Sequence, residues 1–171
     1  MSDVTPLGSD AVRRAILDLL SAAAIPVREI EHPPLSGDRA AVTAAALRGT
    51  PLEMGGKALV LKADRGFVLA AFSAARRMAS GRFRKAVGAR RLRFATREEL
   101  AALTHGLVPG CVPPIGPPIF DLPLIADPSL FEGDELAFTP GRLDRSLVVP
   151  TDAWRALTQP RILSFVEPAS G

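Results

Sequence analysis

The chain has 171 residues, 47% of them hydrophobic and 23% charged, a balance that fits one folded domain over residues 1–171 and excludes a disordered polymer. Its formal net charge is only +3; no run of about 18 uncharged apolar residues exists to cross a membrane, and "MSDVTPLGSDAVRR" lacks the basic-then-apolar order of a secretion signal, so a cytoplasmic protein is expected. A lone cysteine, Cys111, excludes an internal disulfide, and with two histidines it leaves little for a metal, so no metal or other cofactor is expected.

In chain order, Ser9 to Ala24 are expected to form an amphipathic helix, capped by Ser9 or Asp10, with Val12, Ala15, Ile16, Leu19 and Leu20 at helical spacing. A short strand, "VREIEH", ends at "HPP". A second helix, "SGDRAAVTAAALRGT", is capped by Ser36 or Asp38 and stopped near Gly49 and Pro51. "GKALVLKA" and "GFVLAAFS" read as strands joined by the hairpin signal "DRG". A basic helix near Ser80 to Val87, a strand at "RLRFA" and a helix at "TREELAALT" follow, the last with a capping box of Thr96 and Glu99. After a proline-rich loop come strands near "DLPLIAD" and "DELAFT", a further one at "SLVVP", a short helix at "TDAWRAL" and a last strand at "RILSFV". Strands outnumber helices, and hairpins mix with helical crossovers. The expected fold class is α+β, with a mixed, largely antiparallel sheet flanked by helices.

Charge is unevenly spread. From Arg76 to Arg93, "RRMASGRFRKAVGARRLR" carries eight Arg or Lys and no acid. One reading is a solvated helix face followed by a strand end. The other is a phosphate-backbone footprint that places Arg76, Arg77, Arg82, Arg84, Lys85 and Arg90 on a nucleic acid, since like charges repel unless a polyanion neutralises them.

"PLEMGGK" resembles a phosphate loop only superficially: its first position is Pro51, Ala58 follows Lys57, and a strand rather than a helix comes next. Lys57 itself opens an apolar strand on the face of Leu59 and Leu61. It either snorkels to the rim or points into a cavity that holds something negative.

"HGLVPGCVPPIGPPIF" holds five prolines and three glycines, yet Leu107, Val112, Ile115, Ile119 and Phe120 are threaded through it. A solvated linker has no use for those. A stiff loop anchored by apolar residues can instead hold backbone N–H groups in a fixed shape against a ligand. Cys111 is a nucleophile only with a base nearby; His105, six residues upstream, is a candidate, while a small buried thiol is the plainer reading. His32, ahead of two prolines, reads as structural or as a pocket wall.

Taken in order, "GGKALVLKAD", "ARRLRFATREELAALT", "VPGCVPPIG", "LIADPSL" and "TPGRLDRSLVV" make the chain resemble the YbaK-type aminoacyl-tRNA deacylases, found free-standing and as the editing insertion of bacterial prolyl-tRNA synthetases. The match runs from about His32 to Trp154. The resemblance implies hydrolysis of an amino acid wrongly attached to the 3′-terminal adenosine of a tRNA, on a partly closed sheet and without a metal. The family's lysine falls on Lys57, which is expected to engage the terminal phosphate or ribose. The Gly-x-x-x-Pro loop falls on Gly110, Cys111, Val112, Pro113 and Pro114, with Gly116 after it. There, backbone N–H groups hold the aminoacyl carbonyl, and no protein nucleophile is required because a vicinal ribose hydroxyl or the substrate's own thiol assists the attack. The substrate-binding set implied is His32, Pro113, Pro114, Gly116, Thr139 and Gly141.

Departures from the family lie at Ala58, where Asn or Thr is frequent, at Thr139, where the alanine-specific branch carries His, and at Pro140 before Gly141. They bear on which amino acid is removed. Asp127 matches a family aspartate and reads as structural or as a support behind the residues that touch the substrate. The implied partners are a misacylated tRNA, with tRNA-Pro bearing a wrong small amino acid as one case, and an aminoacyl-tRNA synthetase if the chain does not select the tRNA alone; a monomer or homodimer fits both. The residues also leave open a non-catalytic RNA- or DNA-binding module using the basic run, and a cysteine hydrolase built on Cys111 and His105.

Overall fold

Ser9 opens the first helix. In the computed structural model, which describes residues 7–35, 37 and 39–168, its hydroxyl accepts the Val12 N–H at 3.2 Å. The helix α1 (Asp10–Ala22) buries Val12, Ile16 and Leu20, a single stripe at spacings of four. Strand β1 (Arg28–Glu31) follows, then α2 (Ala40–Arg48). The expected caps of α2, Ser36 and Asp38, lie outside the described residues. Its end is as expected: Gly49 takes the left-handed conformation (φ 69°), which stops the helix two residues before Pro51.

Next come β2 (Gly56–Ala63), β3 (Gly66–Ser73), α3 (Ser80–Ala86), β4 (Leu92–Phe94) and α4 (Arg97–Leu103). The β2–β3 hairpin turns at Asp64 and Arg65, and the Asp64 carboxylate accepts the Arg90 and Arg91 N–H groups at 3.0 and 2.8 Å, pinning the turn to the approach of β4. Thr96 and Glu99 form the expected capping box at α4. After the proline-rich segment come β5 (Leu124–Ala126), β6 (Glu135–Phe138), β7 (Arg145–Pro150), α5 (Thr151–Thr158) and β8 (Arg161–Ile162).

The mixed α+β class holds, but the strands form two sheets rather than one. One has the order β1-β7-β6 and is antiparallel; the other, β4-β2-β3-β5-β8, is antiparallel from β4 to β3 and parallel from β3 to β8. They meet at an isolated bridge between Gly55 and Ala137, and neither is closed. The partly closed single sheet is therefore corrected. The break follows from Asp127 and Pro128: the Asp127 side chain accepts the Ser129 N–H at 2.8 Å and starts a short 3-10 turn over Pro128–Phe131, so the chain leaves β5 at an angle.

The last strand is also shorter than expected. The Phe165 and Val166 N–H groups donate to Asp127 Oδ2 at 2.7 and 3.1 Å rather than to a neighbouring strand, and Val166 makes only an isolated bridge with Met78. The five-stranded sheet has a core on each face. Val60, Leu69 and Ala71 join the larger one with α1, the proline-rich segment and Trp154. Leu61, Ala70 and Phe72 join a smaller one under α3, where the Phe83 and Phe165 rings meet edge to face with centroids 4.9 Å apart. Full burial of Phe83 is worth about 1.5–3 kcal/mol, enough to hold a seven-residue helix that has no side-chain cap.

Candidate active site

A cavity of about 790 Å³ lies between α2, the start of β2, the end of β3 and the Pro109–Val112 turn. That is large enough for a nucleoside carrying an amino acid. The structure brings together on its wall His32, Lys57, Arg77, Gly110, Val112 and Thr139 of the residues singled out in the sequence. The facing wall is α2, whose Ala40, Ala41, Ala44 and Ala45 present methyl groups only.

Pro109 and Gly110 are the central residues of a tight turn closed by the Cys111 N–H, which donates to the Val108 carbonyl at 3.1 Å. Gly110 has φ +91°, the value that the third position of a type II turn requires and that glycine supplies without strain. A Cβ there would meet only Leu143 Cδ2, at an ordinary 3.7 Å, so conformation and not protein crowding calls for glycine. The Gly110 and Val112 N–H groups make no hydrogen bond among the described residues, whereas that of Cys111 is committed to the turn.

Several residues expected on the substrate stand behind this turn instead. Pro113, Pro114, Gly116 and Gly141 are buried off the cavity wall. The Pro114 carbonyl accepts the Trp154 indole N–H at 3.1 Å. Gly141 (φ +84°) donates to the Cys111 carbonyl at 2.9 Å, and a Cβ on it would lie 2.9 Å from Val12 Cγ1, so α1 packs directly against it. A Cβ on Gly116 would run into the Leu122 carbonyl at 2.4 Å. Of these, Gly141 ties the turn directly to the core side, and Trp154 holds the adjoining Pro114.

The Cys111 side chain is fully buried, with Sγ 3.9 Å from the Leu7 carbonyl, and burial pushes its thiol up to about 11. His105 is exposed and bonded through Nε2 to the Ile119 carbonyl at 3.0 Å. The thiol is thus buried off the cavity wall while the candidate base is bonded elsewhere, an arrangement that does not favour the cysteine hydrolase alternative. His32 does reach the cavity wall, but both ring nitrogens are engaged: Nδ1 with the Pro33 carbonyl at 2.9 Å and Nε2 with Ser146 Oγ at 2.8 Å. It is a fixed wall rather than a free base.

Lys57, the second residue of β2, lies opposite Phe72 and is exposed on the cavity wall. The sequence reading missed Arg48, the last residue of α2, which lines the same cavity while 8% exposed. Its Nε is buried without a hydrogen-bond partner, and burial alone lowers its pKa to about 10. Three cations, Arg48, Lys57 and Arg77, thus line a wall that holds no carboxylate among its described residues.

The basic run is less free than its sequence suggests. Arg76 is half-buried, 3.8 Å from Glu132. Arg82 and Arg84 donate to the Val166 and Ala89 carbonyls at 2.8 and 3.4 Å. Arg93 pairs with Glu99 at 2.7 Å, and that guanidinium, helped by the Thr96 N–H, holds the Glu99 carboxyl near about 2. Arg77, Lys85 and Arg90 are exposed, and of the run only Arg77 reaches the cavity. Asp127 is buried off the cavity wall as a structural residue. Burial alone would raise its pKa, but the N–H groups of Phe165, Ser129 and Val166 outweigh that and hold it below the ordinary value.

Residues 37–157 match the family model of the aminoacyl-tRNA editing domain. Over 126 residues the chain is 36% identical to a protein of Escherichia coli K12 named multifunctional Ser/Thr-tRNA deacylase ProXp-y, an alignment that takes in 70% of this chain and 73% of that one. A solved structure described as a candidate trans-editing enzyme for prolyl tRNA synthetase is 25% identical and superposes with a TM-score of 0.78 over 94% of this chain and 99% of its own. The hypothetical protein APE2540, 21% identical, shares the fold with a TM-score of 0.75 over 89% of this chain and 99% of its own.

Proposed function

This chain belongs to the aminoacyl-tRNA editing domain family and is an editing hydrolase; from that premise we propose that it acts as a trans-editing deacylase in the cytoplasm, removing a wrong amino acid from the 3′ end of tRNA in the cavity between α2 and the Pro109–Val112 turn. The observation that carries the assignment to this cavity is that Lys57 lines it together with Gly110 and Val112, whose backbone N–H groups have no partner among the described residues, on a wall free of carboxylates among those residues.

In this reading the ester carbonyl lies against the Gly110 and Val112 N–H groups. Water adds to the carbonyl carbon, the oxygen becomes an oxyanion, and the two preset donors stabilise it without reorganising. The bond from that carbon to the ribose oxygen then breaks. The ribose oxygen takes up a proton and the amino acid leaves. The vicinal ribose hydroxyl assists the proton transfer, which fits a cavity where His32 is tied at both ring nitrogens and no described wall residue offers a carboxylate as base. Lys57 supplies positive charge to the acceptor end.

For the amino acid, we infer a small side chain, seryl and threonyl esters first. The support is the name of the E. coli relative together with the methyl-lined α2 wall and the Thr139 hydroxyl, which suit a short side chain with one hydroxyl. tRNA-Pro is the acceptor to try first, since the 25% identical solved structure is described through prolyl tRNA synthetase; a synthetase partner and a monomeric or homodimeric state belong to the same proposal. A deacylation panel over tRNAs mischarged with Ser, Thr, Ala, Cys and Val tests it. Release of Ser or Thr well above the spontaneous rate is expected. Hydrolysis of none of them overturns the assignment.

A further inference from the structure

Arg48 sits where a buried cation needs an explanation. Its side chain lines the cavity beside the start of β2: a methyl built on Gly55 would lie 3.7 Å from Nη1. Nε is enclosed and unpartnered, and nothing but burial perturbs the group, so no carboxylate compensates it among the described residues. An isolated buried charge is costly, which is why buried arginines are normally paired. The carbonyl end of α2 offsets part of the charge, but it leaves the Nε donor unmet. Arg28 donates to the Arg48 carbonyl at 3.3 Å, so the backbone that carries the guanidinium is held in place. The other two cations on the wall, Lys57 and Arg77, are exposed, where solvent weakens them. The fold therefore keeps a desolvated guanidinium, unpaired among the described residues, inside the cavity.

We propose that Arg48 is the phosphate anchor of this site, gripping the phosphodiester on the 5′ side of the terminal adenosine while the aminoacyl group rests against Gly110 and Val112. This rests on the editing reading above. A planar guanidinium matches two phosphate oxygens at once, and the low dielectric that makes the empty site costly strengthens the pair once phosphate enters. Lys57 and Arg77 at the rim then guide the strand inward rather than hold it.

The test compares seryl-adenosine with seryl-adenosine 5′-monophosphate in single-turnover deacylation by the wild type, Arg48→Gln and Arg48→Lys. The wild type should favour the phosphate-bearing ester by about tenfold or more, the scale of a charge-assisted contact. Arg48→Gln should reduce that ratio to within about twofold, and Arg48→Lys should fall between. A second arm needs no turnover: adenosine 5′-monophosphate should raise the melting temperature of the wild type more than adenosine does, and the difference should vanish in Arg48→Gln. Without ligand Arg48→Met should melt no lower than the wild type, because it removes an uncompensated charge. Persistence of the phosphate preference or of the nucleotide-specific shift in Arg48→Gln overturns the assignment. A wild type that hydrolyses neither ester nor any mischarged tRNA overturns the editing reading instead, and the melting arm still decides whether Arg48 takes phosphate.

Discussion

Asp127 and Arg48 are both buried and charged, and they show opposite ways of handling that cost. The Asp127 carboxylate collects three backbone N–H groups, from Ser129, Phe165 and Val166, and so joins β5 to the C-terminal segment. Asp127→Asn leaves one oxygen for donors that now use two, and should lower stability by about 1.5–3 kcal/mol, on the order of 5 °C in Tm. The sign of the pH dependence follows. The folded-state pKa is depressed, so this stabilisation is complete above the unfolded value of about 4 and is lost as pH falls through the lower folded value. Denaturant midpoints taken from pH 6 down to pH 2 should fall more steeply for the wild type than for Asp127→Asn; parallel curves would deny the carboxylate this role. Lys57 stood out in the sequence because strand alternation placed it at the head of an apolar face, which left a rim position and a cavity position both open; its place on the cavity wall is a structural observation. Arg48 was not, because an arginine at the end of an alanine-rich helix looks like an ordinary exposed cation favoured by the helix dipole. Only the approach of Gly55 and β2 buries it.

At the scale of elements, patterns set within a few residues were readable. Ser9 caps α1, Thr96 and Glu99 box α4 and Gly49 ends α2, each through an interaction between near neighbours in the chain, and Asp64 turns the β2–β3 hairpin through its own left-handed backbone (φ 52°). What could not be read depended on distant residues: β8 ends early because Asp127 draws off the Phe165 and Val166 donors, from 38 and 39 residues away. The basic run is a similar case. Its charge was visible, but Glu132 and Glu99 lie outside it, so partial neutralisation was not. As a nucleic-acid footprint it should still act through its exposed members. Arg82, Arg84 and Arg90 changed together to Gln should weaken binding of full-length tRNA, and each phosphate left unneutralised should lower the slope of log K against log salt by up to about one unit. Since Arg82 and Arg84 already donate to carbonyls, Arg90 is expected to carry most of that change. An unaltered salt slope would mark the run as a solvated face.

Over the whole molecule, both sheets and helices α1, α2 and α5 converge on one turn. Helix α1 backs it through Val12 and Gly141, α5 holds it through Trp154 and Pro114, and β2 and α2 close the cavity in front. The class of fold was legible because strand and helix periodicities are local; the division into two sheets was not, because it depends on how Asp127 and Pro128 redirect the chain. The loop "GCVPP" was legible as a unit but not in its parts, since composition does not show which of its N–H groups the turn itself consumes. At the centre of the proposed mechanism is the backbone of this turn, with Gly110 exposed to the cavity and the Cys111 side chain facing the core. The most direct test is single-turnover deacylation of the mischarged tRNA that the wild type prefers, with Gly110→Ala and Cys111→Ala compared well below both melting temperatures. Alanine at φ +91° is strained by roughly 1–2 kcal/mol and should shift the turn, misaligning donors whose loss costs roughly 2.7–4 kcal/mol, so Gly110→Ala should be slower by about a hundredfold or more. Cys111→Ala should keep most of the wild-type rate, because no step uses the thiol. An inactive Cys111→Ala beside an active Gly110→Ala would contradict the backbone mechanism outright.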